Sequence, residues 1–471
     1  MRTRSRGRTA RVWALLAVVA MFSSMLAVVG TTATAAVGDF TLTILHNNDG
    51  ESQLISASGE PDYGGVARFK TLVDTEKAAA TNVIMLSSGD NFLAGPEFTA
   101  SLNKGVPYFD TIAAESFGYD AIALGNHDFD FGPDVLADFI GGFTATQPPF
   151  WVSANIDVSA EPGLKALEDA GSLVPRVTVS VSGTDVGVIG VETPNLPFIS
   201  SPRDVVVSGD PDDITSLAPI IQAEIDALTL AGVDKIILTG HLQDVDNDVA
   251  LVAELTDLDV VIAGGGDELL ANPTDLLVPG DSVDADHPMY PIVAKDKAGV
   301  DVPIVTTAGE YKYLGKLEVT FDLAGKVTAW SGGPLRVSGV APDAVVEDAA
   351  LKAVVTDPVA AALDALDAQV LTTSTVDLDG TRSGVRGMET NEGNLIADAL
   401  LFEGRARAAS FGANYPDVAL QNGGGIRNNS IIPAGPLSVL DTFDMVPFSN
   451  FLSVLDDVPA AQFKEIMENA V

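Results

Sequence analysis

The sequence predicts a layered α/β fold, β-sheets flanked by helices, followed by a helical connector and a second, partial α/β unit. Three observations carry that prediction. Short β-rich apolar runs alternate with amphipathic stretches of helical spacing between Phe40 and Asp322. The runs end abruptly in Gly, Asn or Asp. The 471 residues are 46% hydrophobic and 19% charged, a globular balance with enough chain for two or three domains.

Taken in order, residues 1–36 read as an export signal. Arg2, Arg4, Arg6, Arg8 and Arg11 precede an apolar run from Val12 to Gly30, and Ala33-Thr34-Ala35 offers a small-residue cleavage site. No two of those arginines are adjacent, so a twin-arginine signal is not supported. The alternative is an uncleaved anchor, since the run nearly spans a bilayer. Ser23, Ser24 and the Ala/Thr-rich end favour cleavage, hence a secreted or cell-envelope protein without stable membrane insertion afterwards. Strands are expected at Phe40–Leu45, Val83–Leu86, Ala121–Leu124, Lys235–Leu238 and Asp259–Ala263, with later strands in Met289–Asp322. Helices are expected at Val66–Ala80, Pro107–Phe117, Asp134–Ile140 and Pro219–Ala231. Val345–Leu371 is Ala/Asp/Leu-rich at helical spacing and reads as a connecting helix.

Charge and composition exclude several classes. Lys+Arg number 26 against 65 Asp+Glu, a net charge of −39. A surface this acidic repels phosphate backbones, so nucleic-acid polymers are poor partners. There is no cysteine, which removes disulfides, thiolate metal sites and cysteine nucleophiles together. With only four histidines, a metal site must draw mostly on carboxylates and amides. His46 reads as a packing residue and His287 as a polar-loop residue. Asp244–Asp248 mimics a calcium loop but lacks its Gly and Glu, so an acidic helix start is the better account.

The loops after the strands carry the chemistry. They read His46-Asn47-Asn48-Asp49-Gly50-Glu51, Ser88-Gly89-Asp90-Asn91, Gly125-Asn126-His127-Asp128, Gly240-His241 and Gly264-Gly265-Gly266-Asp267-Glu268. Any one of them is ordinary turn or capping chemistry. Ligand sites of α/β sheets gather at the carboxyl ends of strands, however, and five such loops would converge there. A two-metal hydrolytic site needs a bridging carboxylate and several terminal O/N ligands. Asp90 suits the bridge, with Asp49, Glu51, Asn126, His241 and Asp267 or Glu268 as terminal ligands.

The run Leu45–Asp49, then Gly89-Asp90-Asn91, then Gly125-Asn126-His127-Asp128-Phe129-Asp130 resembles the motif series of calcineurin-like metallophosphoesterases. Downstream, Arg382–Arg386, Glu389–Ala399, Asn422–Arg427 and Pro447–Asn450 resemble the second domain of secreted 5'-nucleotidases and UDP-sugar hydrolases. Between the signal peptide (1–36) and the linker helix (345–371), the resemblance implies a metallophosphoesterase domain (37–340), and after the linker an incomplete substrate-binding domain (372–471). It implies two divalent metals at Asp49, Asp90, Asn126 and His241, and attack on phosphorus by a metal-bound hydroxide. His127 would act beside the phosphate, oriented by Asp128. Arg382, Arg386 and Arg427 would grip the anionic or ribose portion. Phe448 would stack a nucleobase that Asn422 and Asn450 hydrogen-bond. The implied activity is hydrolysis of nucleoside 5'-monophosphates or related phosphoesters. The rivals are a phosphodiesterase on cyclic nucleotides or nucleotide sugars, and an extracellular binding protein without turnover. Nothing in the sequence sets an oligomeric state.

Three departures from the family pattern matter. Its first motif continues D-x-H, and Glu51 stands there instead. Its last metal motif carries a histidine after two glycines, where this chain has Gly264-Gly265-Gly266-Asp267-Glu268. Exchange of imidazole for carboxylate hardens the site, favouring Mn²⁺, Ca²⁺ or Mg²⁺ over Zn²⁺. The sequence also stops at Val471 inside a helix-like segment, so the C-terminal domain is expected to be incomplete, as in a fragment of a longer product.

Overall fold

The structure, a computed structural model, describes residues 38–266, 268–448 and 452–469. The proposed signal at 1–36 lies outside them. The first sheet has seven strands. Its parallel core is β1 (Phe40–Asn47), β2 (Val83–Ser87), β3 (Ala121–Ala123), β4 (Phe150–Val152) and β6 (Leu173–Val174). Antiparallel β14 (Tyr313–Phe321) and β15 (Val327–Arg336) extend it beyond β1. The second sheet has six strands. There β8 (Thr184–Glu192), β10 (Ile236–His241), β11 (Val260–Ile262) and β13 (Asp301–Val305) run parallel. Antiparallel β7 (Arg176–Val181) and β12 (Ile292–Lys295) close its two edges. A short pair, β5 (Ile156–Asp157) with β9 (Val206–Val207), stands apart.

The period of two along each strand builds four layers. Leu42 and Ile44 of β1, Ile84 and Leu86 of β2, Val186 and Val188 of β8, and Ile237 of β10 share one core between the sheets. Their neighbours face outward. Leu45, Met85 and Ile122 pack under the helices Val66–Ala79 and Phe109–Phe117, with Phe69 and Phe117 edge-to-face at 4.9 Å. Ile236, Leu238 and Val261 pack under the helix Ala218–Leu230 through Ile221 and Ile225. Because both faces of each sheet are covered, the parallel strands read as near-continuous apolar runs. The sheets approach closely at Gly190, where a Cβ would collide with the Val152 carbonyl, and Ala154 N–H donates to Gly190 O at 2.8 Å.

The connecting helix is shorter than the expected 345–371. It runs from Ala349 to Asp367, beginning where the Asp348 side chain accepts from Leu351 N–H at 2.7 Å. A π-helical turn at Lys352–Thr356 accommodates Pro358, which lacks the N–H that an α-helical ladder needs. Leu351, Val355 and Val359 are buried in the core of the first helical layer. Beyond the helix, β16 (Val370–Ser374) pairs with β19 (Gly435–Ser438), and β17 (Leu378–Asp379) with β18 (Ile431–Ile432). Leu378, Ile396, Ile426, Leu437 and Met445 form a small separate core beneath the helix Asn391–Arg407.

Candidate metal centre and its surroundings

The five loops come from two sheets, three following β1, β2 and β3 and two following β10 and β11. Their carboxyl ends meet because the sheets are stitched there. Ser88 Oγ lies 3.1 Å from Thr239 Oγ1 and donates to Ile262 O at 3.1 Å. Gly265 N–H donates to Asp49 Oδ2 at 3.1 Å.

Asp49, Asp90 and His241 converge so that one ligand atom from each lies within 4.8 Å of the others, all buried. Among the described residues this is the one such group of three. His241 closes β10, and its Nδ1 donates to Ser88 O at 2.6 Å. That bond fixes a proton on Nδ1 and turns Nε2 toward the acids, where a cation would take the place of a second proton. Nε2 is fully buried and lies 2.9 Å from Asp90 Oδ2 and 3.8 Å from Asp49 Oδ1, yet makes no hydrogen bond. An orphaned imidazole nitrogen between two carboxylates fits a divalent cation, whose charge would satisfy all three. Burial pulls the His241 pKa down, but the Asp90 and Asp49 charges more than reverse this and hold it well above the ordinary value.

The loop backbones are bent to present these groups. Asp49, Glu51 and Asp90 sit at φ 50°, 49° and 52°, the left-handed region that residues with a Cβ rarely adopt. Asn48 locks the first, its Nδ2 donating to Asp49 Oδ2 at 2.6 Å and to Thr307 O at 2.7 Å. Asp90 Oδ1 accepts from His127 N–H at 2.7 Å, and Gly125 is obligatory because any Cβ there would strike Asp90. Burial raises the Asp90 pKa, and the His241 and His127 charges outweigh it, leaving Asp90 below the carboxylate range. Burial, with Asp90 assisting against His241, lifts Asp49 to about 6. Burial and the Asp49 charge lift Glu51 to about 8. Glu51 N–H donates to Asp90 O at 3.0 Å, so the residue sits beside the triad.

The remaining sites expected from sequence divide. Asn126 is buried, and its Oδ1 accepts from Gln243 Nε2 at 2.6 Å. Glu268 Oε1 accepts from Val245 N–H at 3.2 Å at the start of the helix Val245–Val252, outside the triad. Asp267 lies outside the described residues. The expected orienting role of Asp128 is corrected. Its carboxylate accepts from Gly125 N–H at 2.9 Å and Asn91 N–H at 3.0 Å, tying two ligand loops together. The partner of His127 Nδ1 is Asp130 Oδ2, at 2.8 Å, while Asp130 Oδ1 accepts from Ser200 Oγ at 2.9 Å. Residues 127–129 form a 3₁₀ turn, so a spacing of three brings Asp130 round to His127 and the adjacent Asp128 away from it. Burial pulls His127 down, but the Asp90 charge, the Asp130 hydrogen bond and Glu51 carry its pKa to about 10.

The downstream residues reach this centre through Phe448. Its ring lies 6.4 Å from the His127 ring with the planes 5° apart, and the Arg427 guanidinium sits 5.0 Å over it. Arg427 N–H donates to Met445 O at 3.0 Å, which joins the glycine-rich loop to the segment carrying Phe448. Arg386 approaches the same loop at Gly424. Arg382, Arg386, Arg427 and Asn422 are exposed. None of the three arginines forms an ion pair among the described residues. Asn450 lies outside the described residues. Asp244 caps the helix Val245–Val252 as an acidic helix start should, His287 pairs with Asp246 at 2.8 Å, and His46 is buried against Tyr290.

Comparison with known proteins matches residues 369–471 to the family described as "5'-nucleotidase, C-terminal domain". The chain is 32% identical over 448 residues to a snake venom 5'-nucleotidase of Naja atra, spanning 92% of this chain and 78% of that one. It is 32% identical over 444 residues to the 5'-nucleotidase of Homo sapiens, spanning 90% and 72%. The crystal structure of a 5'-nucleotidase precursor from Thermus thermophilus superposes with a TM-score of 0.68 at 36% identity, covering 87% of this chain and 74% of that one. A calcineurin-like phosphoesterase of Bacillus subtilis, 18% identical with a TM-score of 0.51, shares the fold over 69% of this chain. Layered sheets, clustered acid and imidazole groups and relatives along nearly the whole length agree, and the chain belongs to the 5'-nucleotidase family.

Proposed function

We propose that this chain is an exported, metal-dependent hydrolase that releases phosphate from nucleoside 5'-monophosphates or closely related phosphoesters. Residues 37–340 would carry the reaction and residues 372–471 would bind the substrate. One observation carries the reading: His127 touches both halves, through its N–H on Asp90 of the triad and its ring against Phe448.

The donors suit two hard divalent cations, Mn²⁺, Ca²⁺ or Mg²⁺ before Zn²⁺. Asp49, Asp90 and His241 form the nucleus, Asn126 and Glu51 stand beside it, and Asp267 would add a carboxylate. Bound there, the cations supply a nucleophilic water and neutralise the phosphate charge. Asp90 has an oxygen toward each side of the centre, Oδ2 at His241 and Oδ1 fixed by His127 N–H, and is the group able to bridge. Asp130 holds Nδ1 of His127, leaving Nε2 to give a hydrogen bond or proton to the departing alkoxide. Arg382, Arg386 and Arg427, free of ion pairs among the described residues, present planar forks to phosphate or ribose oxygens. Phe448 offers an aromatic face to the base, and Asn422 a carboxamide.

The test is phosphate release from AMP, UDP-glucose, a cyclic nucleotide and an aryl phosphate, each with Mn²⁺, Ca²⁺, Mg²⁺ or Zn²⁺. AMP with Mn²⁺ is expected to be turned over, and EDTA to abolish turnover until the cation is restored. A folded protein that releases no phosphate from AMP with any of these cations would refute the reading.

A further inference from the structure

Gln243 carries an unusual combination of features for a residue outside the triad. It follows His241 by two positions, and its backbone lies at φ 72°, in the left-handed region that a side chain disfavours. Its N–H donates to Gly264 O at 3.3 Å, which ties the end of β10 to the loop after β11. From this twisted backbone its Nε2 reaches Asn126 Oδ1 at 2.6 Å, across to the loop after β3 on the other sheet. A carbonyl oxygen has two lone pairs. The Gln243 hydrogen bond takes one and leaves the other for a cation.

The position opposite is built to match. Gly265 sits at φ 91°, and a Cβ there would lie 2.6 Å from Gln243 Nε2 and 2.9 Å from His241 Cδ2. Any side chain at 265 would therefore expel the glutamine amide. Gly265 N–H meanwhile donates to Asp49 Oδ2 at 3.1 Å. The loop that lacks an imidazole thus contributes a backbone N–H to one acid and makes room for Gln243 to hold Asn126.

We propose that Gln243 is a positioning residue for the second cation, acting by holding Asn126 with its Oδ1 presented to that cation. The proposal rests on the two-cation reading above. Groups that orient metal ligands from behind typically change metal affinity by about 10- to 100-fold when removed.

Equilibrium dialysis of Mn²⁺ into the cation-free protein tests it, with melting in EDTA as the check on folding. The wild type is expected to bind two Mn²⁺. Gln243→Asn keeps a residue tolerant of the left-handed backbone but shortens the arm. It should weaken the second Mn²⁺ roughly tenfold or more, with the first Mn²⁺ and the EDTA melting temperature unchanged. Gln243→Glu replaces the donor with an acceptor facing Asn126 Oδ1 and should weaken the second Mn²⁺ at least as much. Two Mn²⁺ bound with wild-type affinity by both variants would overturn the proposal alone. So would tighter binding by Gln243→Glu, which would make residue 243 itself a ligand. Fewer than two Mn²⁺ in the wild type would overturn the two-cation reading, and the proposal with it.

Discussion

Asp90→Asn is expected to lower phosphate release from AMP by roughly a thousandfold and to leave the protein unable to hold two cations together. The expectation follows from the uses of this one carboxylate. Oδ2 faces the orphaned Nε2 of His241, Oδ1 accepts from His127 N–H, and Asp49 stands close enough that all three side chains share one cluster. An amide keeps the volume but loses the negative charge and one anionic oxygen. A bridge between cations needs both. Electrostatic stabilisation by bound cations contributes several kcal/mol to such reactions, and about 4 kcal/mol corresponds to a thousandfold in rate. Activity measured at saturating Mn²⁺, beside Mn²⁺ stoichiometry, separates loss of the bridge from weakened affinity. Turnover within tenfold of wild type would remove Asp90 from the centre.

His127→Ala should cost about 10²- to 10⁴-fold in turnover of AMP while leaving Mn²⁺ binding intact. The imidazole is not in the cluster of ligand atoms. It is fixed by Asp130 on one nitrogen and lies against Phe448 on its ring. On the proposed reading its contribution is to the departing oxygen rather than to the cations. A ribose 5'-alkoxide is a poor leaving group and a phenolate bearing a nitro group a good one, so the loss should be smaller for a nitrophenyl phosphate. Equal losses on both substrates, or loss of a bound Mn²⁺, would contradict this assignment.

Much of this was legible in the sequence, for identifiable reasons. The five strands and their loops stand out because β-rich runs ending in Gly, Asn or Asp leave a clear pattern, with Asp49 and Asp90 in the loops after two of them and His241 at the end of a third. The division into two sheets did not show, because side-chain periodicity is the same for strands in one sheet or two. Hairpin β7–β8 has a visible turn at Ser182-Gly183 and strong alternation, so its signal was available in the sequence without pointing to the site. Asp130 was within reach as well. A 3₁₀ turn places residues three apart on one side, so spacing favours it over Asp128 as the partner of His127. Gln243 and Asn48 were not legible. Gln243 depends on a left-handed backbone and a contact across 117 residues, and Asn48 on a contact across 259, which local pattern does not encode. Glu268 reads as a ligand by its place after the glycines, and only the fold reveals that a helix N-terminus takes its carboxylate.

On the proposed function, Asp49, Asp90 and His241 hold catalytic divalent cations beside His127. Anomalous diffraction from crystals of the protein soaked in Mn²⁺ tests it most directly. Two Mn²⁺ peaks sharing Asp90 are expected, one of them bound by His241 Nε2, and neither bound by His127. No peak at this cluster, or a peak held by His127, would contradict it.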